Sequence, residues 1–311
     1  MKNVLFAGEI NVDLVLQGYR DFPTPGKEVL VDDFSMVLGS ASAICAMGLA
    51  RLGSPVTFLG KVGDDPWGRF CLDAMTGRGI DVSRVVRDAA IKTGVTVAIT
   101  RPGDDRALVS YLGSIAALVR DDVPPGAFRG FAHLHVSSYY LQEGLRPGVR
   151  DLFATAHAEG LTTSLDPGYD PSEGWAGGLE ETLRDTDLFF PNEVELAGIA
   201  RTSDPEEALR RLENGRTRTV AKLGREGAMT LDEGRPVTVA AFPIRPLDTT
   251  GAGDSFNAGF LHAWLAGAPV VECLRLGAAC GALSTQGMGG TAAQPTRAEA
   301  EAFMRAQDSR P

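Results

Sequence analysis

The most informative stretch of the sequence is Asp248-Thr249-Thr250-Gly251-Ala252-Gly253-Asp254-Ser255-Phe256-Asn257-Ala258-Gly259-Phe260. Gly251 and Gly253 lack side chains, so backbone N–H groups can approach an anion closely, and the helix predicted after them directs its positive dipole end to the same point. Asp254 falls in the first turn of that helix. A carboxylate there would repel a phosphate unless it accepts a proton from an attacking hydroxyl. A glycine-rich turn with an acidic residue that complements the helix dipole is the alternative, but the thirteen residues together favour phosphate chemistry.

Composition limits the classes of partner. The chain has 311 residues, of which 44% are hydrophobic and 23% are charged, with a formal net charge of -10. This length accommodates one large α/β domain or two smaller ones. A nucleic acid or an anionic membrane is not expected as the main partner, because either requires a basic face. An anionic small substrate remains open, provided that N–H groups, a metal or a few basic side chains offset the field.

The sequence predicts a cytoplasmic protein with reduced cysteines. The apolar run at residues 4–8 is followed at once by polar residues and is too short for a signal peptide. No stretch of about 18 uncharged apolar residues predicts a transmembrane helix. Four cysteines lie in apolar, helix-like contexts without metal-binding spacing, which indicates core packing. They are Cys45, Cys71, Cys273 and Cys280.

Strand and helix patterns alternate along most of the chain, which predicts a parallel sheet covered by helices. Apolar runs predict strands at residues 3–8, 56–60, 132–137, 161–165 and 186–190. Helical patterns cover residues 42–52, 68–79, 147–159, 205–214, 253–265, 271–286 and 297–306. Closely spaced strands at residues 218–223, 228–231 and 237–242 predict an antiparallel edge. No repeat or linker divides the chain, so we expect one domain over residues 1–311.

Two segments depart from this alternation and predict a small additional sheet. Residues 29–38 have strand character, and residues 95–100 and 107–112 flank a turn predicted at Pro102–Asp105. We place the inserted strands at about residues 12–38 and 93–115. The apolar face of such a sheet must be buried, so it would cover a site as a lid or pair with another subunit.

Polar residues that follow predicted strands are candidates for ligand contacts. Asn11 and Asp13 follow the first strand, at the edge where open α/β sheets bind ligands, although Asp13 can equally be a solvated loop residue. Asn192 and Glu195 share a helix face, where Glu195 can hold Mg²⁺ through water or form a capping box with Asn192. The glycines between Lys222 and Ala228 can receive a nucleotide or simply form a hairpin.

Other motifs are less informative. His133 and His135 alternate on an apolar strand without further ligands at metal-binding spacing, which favours packing. The sequence contains no G-x-x-x-x-G-K-[ST] loop and no hydrolase motif. A bound nucleotide is therefore held by some other arrangement.

Together these motifs resemble the ribokinase family of carbohydrate kinases, also called the phosphofructokinase-B family, almost from end to end. Asp248–Phe260 is similar to the C-terminal signature of the family, and the stretch from Gly39 to Gly53 is similar to its N-terminal signature. Asn192–Glu195, Lys222–Ala228 and Val62–Gly68 follow the family's order. The resemblance implies a ribokinase-like three-layer α/β sandwich with a β-sheet lid, which transfers the ATP γ-phosphate to a sugar hydroxyl.

The resemblance also implies roles for individual residues. Asp254 would be the catalytic base and a substrate contact, and the N–H groups of Gly251, Ala252 and Gly253 would form the anion hole. The remaining implied roles are Asn192, Lys222, Gly224 and Gly227 at the nucleotide, Glu195 at Mg²⁺, Asp248 and Thr250 at a monovalent cation such as K⁺, and Asn11, Asp13, Gly39 and Ser40 at the substrate. The C-terminal part of the cation site, around Gly287–Gly290, aligns ambiguously.

Some positions depart from the family pattern. Ser40 stands where a second glycine is usual, and Ile44 stands where ribose-specific members have a sugar-binding asparagine. An isoleucine side chain makes no hydrogen bond, which disfavours ribose. The acidic residue that ribokinases use after the strand at 132–137 has no clear counterpart, with only Gln142 and Glu143 nearby.

The working hypothesis is an ATP- and Mg²⁺-dependent kinase of a sugar or sugar-like alcohol. The first alternative is a nucleoside kinase of the same fold, with Ile44 and Tyr111 as apolar surfaces for the base. The second is a non-catalytic sugar or nucleotide sensor, which would not need Asp254. The lid also predicts a homodimer as a candidate assembly.

Overall fold

The computed structural model describes residues 2–100 and 107–308. The predicted turn at Pro102–Asp105 lies outside the described residues. Within them, the strands are β1 (Val4–Gly8), β2 (Asn11–Gln17), β3 (Asp33–Leu38), β4 (Val56–Gly63), β5 (Asp81–Asp88), β6 (Gly94–Thr100), β7 (Ala107–Tyr111), β8 (His133–Val136), β9 (Thr162–Leu165), β10 (Leu188–Phe189), β11 (Arg218–Lys222), β12 (Ala228–Asp232) and β13 (Arg235–Val239). The α-helices are α1 (Ala41–Arg51), α2 (Pro66–Gly77), α3 (Val149–Ala158), α4 (Leu179–Leu183), α5 (Glu193–Ala200), α6 (Pro205–Arg211), α7 (Ala252–Leu265), α8 (Val270–Ser284) and α9 (Arg297–Asp308).

Nine strands form the central sheet, in the order β13-β12-β11-β10-β9-β8-β1-β4-β5. All neighbours from β5 to β11 pair in parallel, whereas β12 pairs antiparallel with both β11 and β13. The predicted parallel sheet with an antiparallel edge is confirmed. Parallel order brings the carboxyl ends of β1, β8, β9, β10 and β11 to one edge, where ligands bind in such sheets.

The central strand β1 shows why the fold has three layers. Val4 and Phe6 belong to an apolar cluster that includes residues of α1, α7 and α8. Leu5 and Ala7 belong to a second cluster with residues of α3 and α4. Successive side chains of a strand point to opposite faces, so both faces of β1 are buried and each needs its own helical layer.

One strand was missing from the sequence analysis. β5 pairs in parallel with β4 at the edge of the sheet, with a register irregularity between Thr57 and Leu59. It is polar and partly exposed along most of its length. An edge strand needs no continuous apolar run, so the pattern that identifies central strands does not identify this one.

A second sheet, which we call the lid sheet, has the order β3-β2-β6-β7. β2 pairs antiparallel with β3 and parallel with β6, and β6 pairs antiparallel with β7. Strand β2 begins at Asn11, and only two residues separate it from the end of β1 at Gly8. The lid sheet therefore extends from the edge of the central sheet where ligands are expected.

Backbone geometry explains one glycine of the hairpin between β11 and β12. Gly227 has a φ of 106°, and a Cβ atom there would lie 2.0 Å from the carbonyl oxygen of Val239. Gly234, in the turn between β12 and β13, has a φ of 72° with nothing within 4 Å of the Cβ position. Gly227 is required because the backbone at Val239 approaches it closely. Gly234 is favoured only because its φ is positive.

Gly227→Ala is expected to lower the free energy of unfolding by about 2 kcal/mol more than Gly234→Ala, because the first adds a steric clash to the left-handed strain that both share. Urea denaturation of the two variants and the parent measures the difference. Equal losses in the two variants would show that the strand end at Val239 yields without cost.

Candidate active site

Residues 248–253, which we call the signature loop, lead into α7 through a residue with left-handed backbone geometry. Gly251 caps the helix with a φ of 70°, and a Cβ atom at this position would lie 2.7 Å from the Cα of Gly290 and 2.8 Å from Ile44. Only glycine fits this contact. Ala252 begins the helix and its N–H donates to the Thr249 carbonyl (3.2 Å). Of the three N–H groups predicted to form the anion hole, that of Ala252 therefore already has a partner within the loop.

Lys222, at the end of β11, extends to the first turn of α7. Its Nζ lies 3.5 Å from the position that a Cβ atom of Gly253 would occupy. Nζ donates to Asp166 Oδ2 at 2.6 Å, and Asn257 Nδ2 on α7 donates to the same oxygen at 2.6 Å. Burial lowers the pKa of Lys222, but the charges of Asp166 and Glu195 more than offset this and raise it. The predicted catalytic base, Asp254, lies in the same turn of α7 and adds a smaller contribution.

Asp166 and Asn257 are site residues that the sequence analysis did not identify. Asp166 follows β9 directly, so the rule that drew attention to Asn11 and Asp13 applies to it as well. Asn257 lies three residues after Asp254, within the signature itself, and i,i+3 spacing puts the two on one side of the helix. Both signals were present in the sequence.

Glu195 and Asn192 form the capping box that was one of the two interpretations of their spacing. Asn192 Oδ1 accepts from the N–H groups of Val194 and Glu195, and the Glu195 carboxylate accepts from the Asn192 N–H (2.8 Å) and Nδ2 (2.7 Å). Glu195 is buried, and burial followed by repulsion from Asp166 raises its pKa to about 7. The cap thus holds a carboxylate where its negative charge is costly, next to the Asp166–Lys222 pair.

Asp248 joins two loops behind the start of α7. Its carboxylate accepts from the N–H of Thr250 and from the N–H of Gly289, both at 2.8 Å. Gly290, the next residue, packs against Gly251. The segment Gly287–Gly290, which the sequence left ambiguous, therefore lies directly behind the signature loop.

The predicted substrate residues meet at the base of the lid sheet. Asn11 Nδ2 donates to Asp13 Oδ1 (2.8 Å), and a Cβ atom on Gly39 would lie 2.0 Å from that same oxygen. Ser40 has a φ of 77°, in the left-handed region that favours glycine, and its Oγ accepts from the Ala43 N–H and donates to the Glu9 carbonyl. These hydrogen bonds explain how a serine occupies a position where the family usually has glycine.

Glu9 is another buried carboxylate, to which the sequence patterns assign no role. It accepts from the N–H (3.0 Å) and Oγ (2.6 Å) of Ser42 at the start of α1. Burial raises its pKa, although the bonds from Ser42 oppose that shift. Glu9 therefore fixes the exit of β1 against α1, and with it the position of Asn11.

One side of the lid sheet faces the signature loop and the segment Gly287–Gly290 behind it. Val37 contacts the position of a Cβ atom on Gly289, and Asp13 is paired with Val37 on β3 and with Thr96 on β6. Thr96 Oγ1 and Ser110 Oγ are 2.9 Å apart, so they continue the same row. Tyr111 follows Ser110 and lies on the opposite side, away from Asp13. The contact of Tyr111 with a nucleoside base, proposed from the sequence, is therefore wrong. Ile44, the other residue named for that contact, packs beneath Gly251 and Gly290.

The glycines predicted at the nucleotide differ in their surroundings. Gly224 is exposed with a φ of 53°, and the carboxylate of Glu193 lies 3.8 Å from its Cβ position. Gly227 is fixed by the contact with Val239 described above. Neither environment by itself identifies a nucleotide site.

His133 and His135 form a hydrogen-bonded row in the core. The ring of His133 lies 2.9 Å from Thr162 Oγ1 and 2.7 Å from Ser164 Oγ, and that of His135 lies 2.6 Å from Ser164 Oγ and 2.7 Å from Ser137 Oγ. Burial lowers the pKa of His135 to about 4. Among the described residues no group of three or more His, Cys, Asp or Glu side chains could hold a metal. All four cysteines are buried and free, and no described helix is long and apolar enough to cross a membrane.

Comparison with known proteins establishes the family. The pattern described as "pfkB family carbohydrate kinase" matches residues 1–297. An uncharacterized sugar kinase of Archaeoglobus fulgidus is 32% identical over 231 residues, or 74% of this chain and 91% of that protein. A ribokinase of Bacillus subtilis is 28% identical over 98% of this chain and 100% of its own length. The structure of Arabidopsis thaliana ribokinase complexed with ribose and ATP superposes with a TM-score of 0.83 at 23% identity, covering 98% of this chain and 99% of that one.

This chain belongs to the pfkB family of carbohydrate kinases. The ribokinase-like fold and the kinase class predicted from the sequence are confirmed. Other relatives bear the names fructokinase, 2-dehydro-3-deoxygluconokinase and nucleoside kinase. Members of one family thus differ in acceptor, and the acceptor must be argued from the site.

The raised pKa of Glu195 predicts a pH dependence of stability in the absence of Mg²⁺. The group binds its proton more tightly in the folded state, so its favourable contribution is complete below the ordinary pKa of about 4.5 and is lost as pH rises to about 7. The free energy of unfolding of Glu195→Gln, relative to that of the parent, should therefore increase by about 2 kcal/mol between pH 5 and pH 8.

Urea titrations of both proteins at several pH values measure that difference. The lost capping bonds add an offset that does not vary with pH. A difference that stays constant from pH 5 to pH 8 would show that Glu195 ionises normally in the folded protein.

Proposed function

We propose that this chain transfers the γ-phosphoryl group of ATP to a hydroxyl of a sugar or sugar-like alcohol, with Asp254 as the general base. The observation that carries the proposal is the position of Asp254. It lies in the first turn of α7, directly after Gly253, whose Cβ position is 3.5 Å from Lys222 Nζ. Val37 of the lid sheet contacts Gly289, in the loop behind the same helix start. A base in this turn is close to a candidate anion site and can accept the proton of an alcohol bound between the lid sheet and the helix.

In this mechanism the acceptor is held by Asn11, Asp13 and Ser40 at the base of the lid sheet, with Gly39 leaving the space. Asp254 accepts the proton as the acceptor oxygen attacks the γ-phosphorus. N–H groups of Gly251 and Gly253, at the positive end of α7, stabilise the developing charge, and that of Ala252 joins them if it leaves Thr249. The adenosine side of ATP lies toward Asn192, Gly224 and Gly227.

The donor set suits a divalent cation. Glu195 and Asp166 are buried carboxylates that share one ammonium, and repulsion between them contributes to the raised pKa of Glu195. Such surplus negative charge fits Mg²⁺, which would be held by Glu195 through water. When bound, the ion neutralises the phosphates. Among the described residues, Lys222 neutralises the phosphates only in part, because its positive charge is shared with Asp166 and Glu195.

A sugar acceptor is favoured over a nucleoside by the inner side of the lid sheet. The row that faces the signature loops contains Asp13, Thr96 and Ser110, which offer hydrogen bonds to hydroxyls. A nucleoside remains the second candidate because a relative bears that name, and an apolar platform for a base would have to come from Val37 or from elsewhere. A sensor without activity does not require the carboxylate of Asp254. We place the enzyme in the cytoplasm, where ATP is available and free cysteines stay reduced.

Asp254→Asn is expected to lower kcat by about 10²–10⁴-fold, with a much smaller change in the KM for ATP, because proton acceptance is lost while the fold is kept. The acceptor is first found by a coupled ADP-release screen over sugars, sugar acids, inositols and nucleosides. Asp73→Asn, an exposed change on α2, is the matched control. A variant at position 254 with parental kcat would remove the base from the mechanism.

A monovalent cation is proposed behind the signature loop, at Asp248 and Thr250. Each Asp248 oxygen accepts one N–H bond and keeps a further lone pair for a cation. K⁺ would hold this loop, and thereby Gly251, in shape. We expect activity to rise when K⁺ replaces tetramethylammonium, and Asp248→Ala to lose most of that response. Initial rates at constant ionic strength measure it, and equal rates in both salts would exclude the cation.

The outer side of the lid sheet supports a homodimer. Its cross-strand rows are wholly apolar. The described positions on this side are Val12, Leu14, Leu16, Phe34, Met36, Leu38, Val95, Val97, Ile99, Ala107, Val109 and Tyr111. Val12, Leu38 and Ile99 are buried within the single chain, and the first two belong to the main core. The more exposed positions leave a hydrophobic surface that a second copy can cover by twofold symmetry. Phe34, Val109 and Tyr111 are each more than half exposed in the single chain.

Val109→Lys is expected to shift the protein from dimer to monomer, because it places a charge in the apolar contact. Leu108→Lys is the control, since Leu108 is similarly exposed (54% against 60%) but lies on the other side of the same strand. Sedimentation velocity at micromolar concentration measures both. A monomeric parent, or two variants that behave alike, would contradict the lid dimer.

A further inference from the structure

The least expected feature of the site is the ion pair between Lys222 and Asp166. The side chains are 11% and 5% exposed, and Nζ lies 2.6 Å from Asp166 Oδ2. Asn257 Nδ2 donates to the same oxygen at 2.6 Å. Two strand ends and a helix therefore meet at one carboxylate oxygen, because Asp166 follows β9, Lys222 ends β11 and Asn257 lies on α7.

A buried pair of this kind needs an explanation other than stability. Taking two charges out of water costs several kcal/mol, and apolar replacements of such pairs are often neutral or stabilising. Burial by itself would lower the pKa of Lys222, but Asp166 and Glu195 more than offset this, so the ammonium stays charged. The chain therefore maintains a positive charge at a place where keeping it is expensive.

The ammonium is also oriented toward the predicted reaction. Nζ has three N–H donors, and Asp166 takes one of them. Nζ lies 3.5 Å from the position that a Cβ atom of Gly253 would occupy, and Asp254 follows Gly253 on α7. The remaining donors are thus available on the side of the loop where the transferred group would be bound.

We propose that Lys222 is a catalytic residue that contacts the γ-phosphoryl group as it moves from ADP to the acceptor, and that Asp166 and Asn257 position it. The proposal rests on the phosphotransfer function proposed above. The bond between the acceptor oxygen and the γ-phosphorus forms while the bond from that phosphorus to the β,γ-bridging oxygen breaks. The hydroxyl proton passes to Asp254, and Lys222 keeps its own protons and neutralises the transferred charge.

The test compares two probes that differ in the γ-phosphoryl group. Binding of ADP and of the non-hydrolysable ATP analogue AMP-PNP, both with Mg²⁺, is measured by calorimetry. Lys222→Met should leave the affinity for ADP within about twofold and lower that for AMP-PNP by about tenfold or more. With the acceptor from the screen, kcat should fall by about 10²–10³-fold.

Lys222→Met leaves Asp166 as an unpaired buried charge, so the variant can fail to fold. The double variant Asp166→Asn/Lys222→Met removes both charges and should fold while it still loses discrimination between the two probes. Lys61→Met/Asp122→Asn is the control, because Lys61 and Asp122 form an ion pair of similar length (2.8 Å) that is partly buried (13% and 22% exposed) and includes no residue of the candidate site. The control should keep the parental ratio of affinities.

The outcomes separate three roles. Equal losses for ADP and AMP-PNP would assign Lys222 to the remainder of the nucleotide, and an unchanged ratio with unchanged kcat in the folded double variant would make the pair purely structural. Either result overturns the proposal. If the parent phosphorylates no acceptor, the proposed function fails, whereas the two affinities still report whether Lys222 contacts the γ-phosphoryl group.

Discussion

The proposed site depends on keeping one largely buried ammonium charged. Lys222 remains charged because Asp166 lies 2.6 Å away, and Asp166 is in turn held by Asn257 of α7. This contact ties β9 and β11 to the helix that carries Asp254. Displacement of any one of these elements would leave a buried charge without its partner, which is far more costly than the loss of a surface ion pair. The same electrostatic requirement therefore fixes both the position of the helix and its alignment with the sheet.

The lid sheet is aligned with this centre by steric contacts rather than by charge. Asp13 lies over Gly39, Val37 lies against Gly289, and Gly290 packs on Gly251. In each contact a side chain larger than hydrogen on the glycine would displace its neighbour. The predicted substrate residues on the lid and the loop at the start of α7 are thus connected through three close approaches, with Asp248 linking the two loops by hydrogen bonds. In the proposed mechanism, steric contacts determine where the acceptor is held, and charge determines where the phosphoryl group is held.

Most of the fold follows from the sequence because buried parallel strands and their helices leave strong periodic signals. β5 was missed because an edge strand can be polar, and the lid strands were found but their two sides could not be assigned. The register assigns them, and it places Tyr111 on the side away from Asp13. The signature residues were predicted as a group. Asp166 follows a predicted strand and could have been listed as a candidate, but its pairing with Lys222, 56 positions away in the sequence, could not be predicted. Local sequence patterns indicate which side chains are candidates for a site, but pairs that are far apart in the sequence are seen only in the folded sheet.

Phosphate transfer to an alcohol rather than to water is the function proposed for this edge of the sheet. Phosphorus-31 NMR of ATP, Mg²⁺, K⁺ and the acceptor with the enzyme tests it most directly, because the product is observed without a coupling system. We expect a phosphomonoester signal that grows in equal amount with ADP, and little inorganic phosphate. Inorganic phosphate in place of the ester, or no consumption of ATP with any sugar or nucleoside, would contradict it.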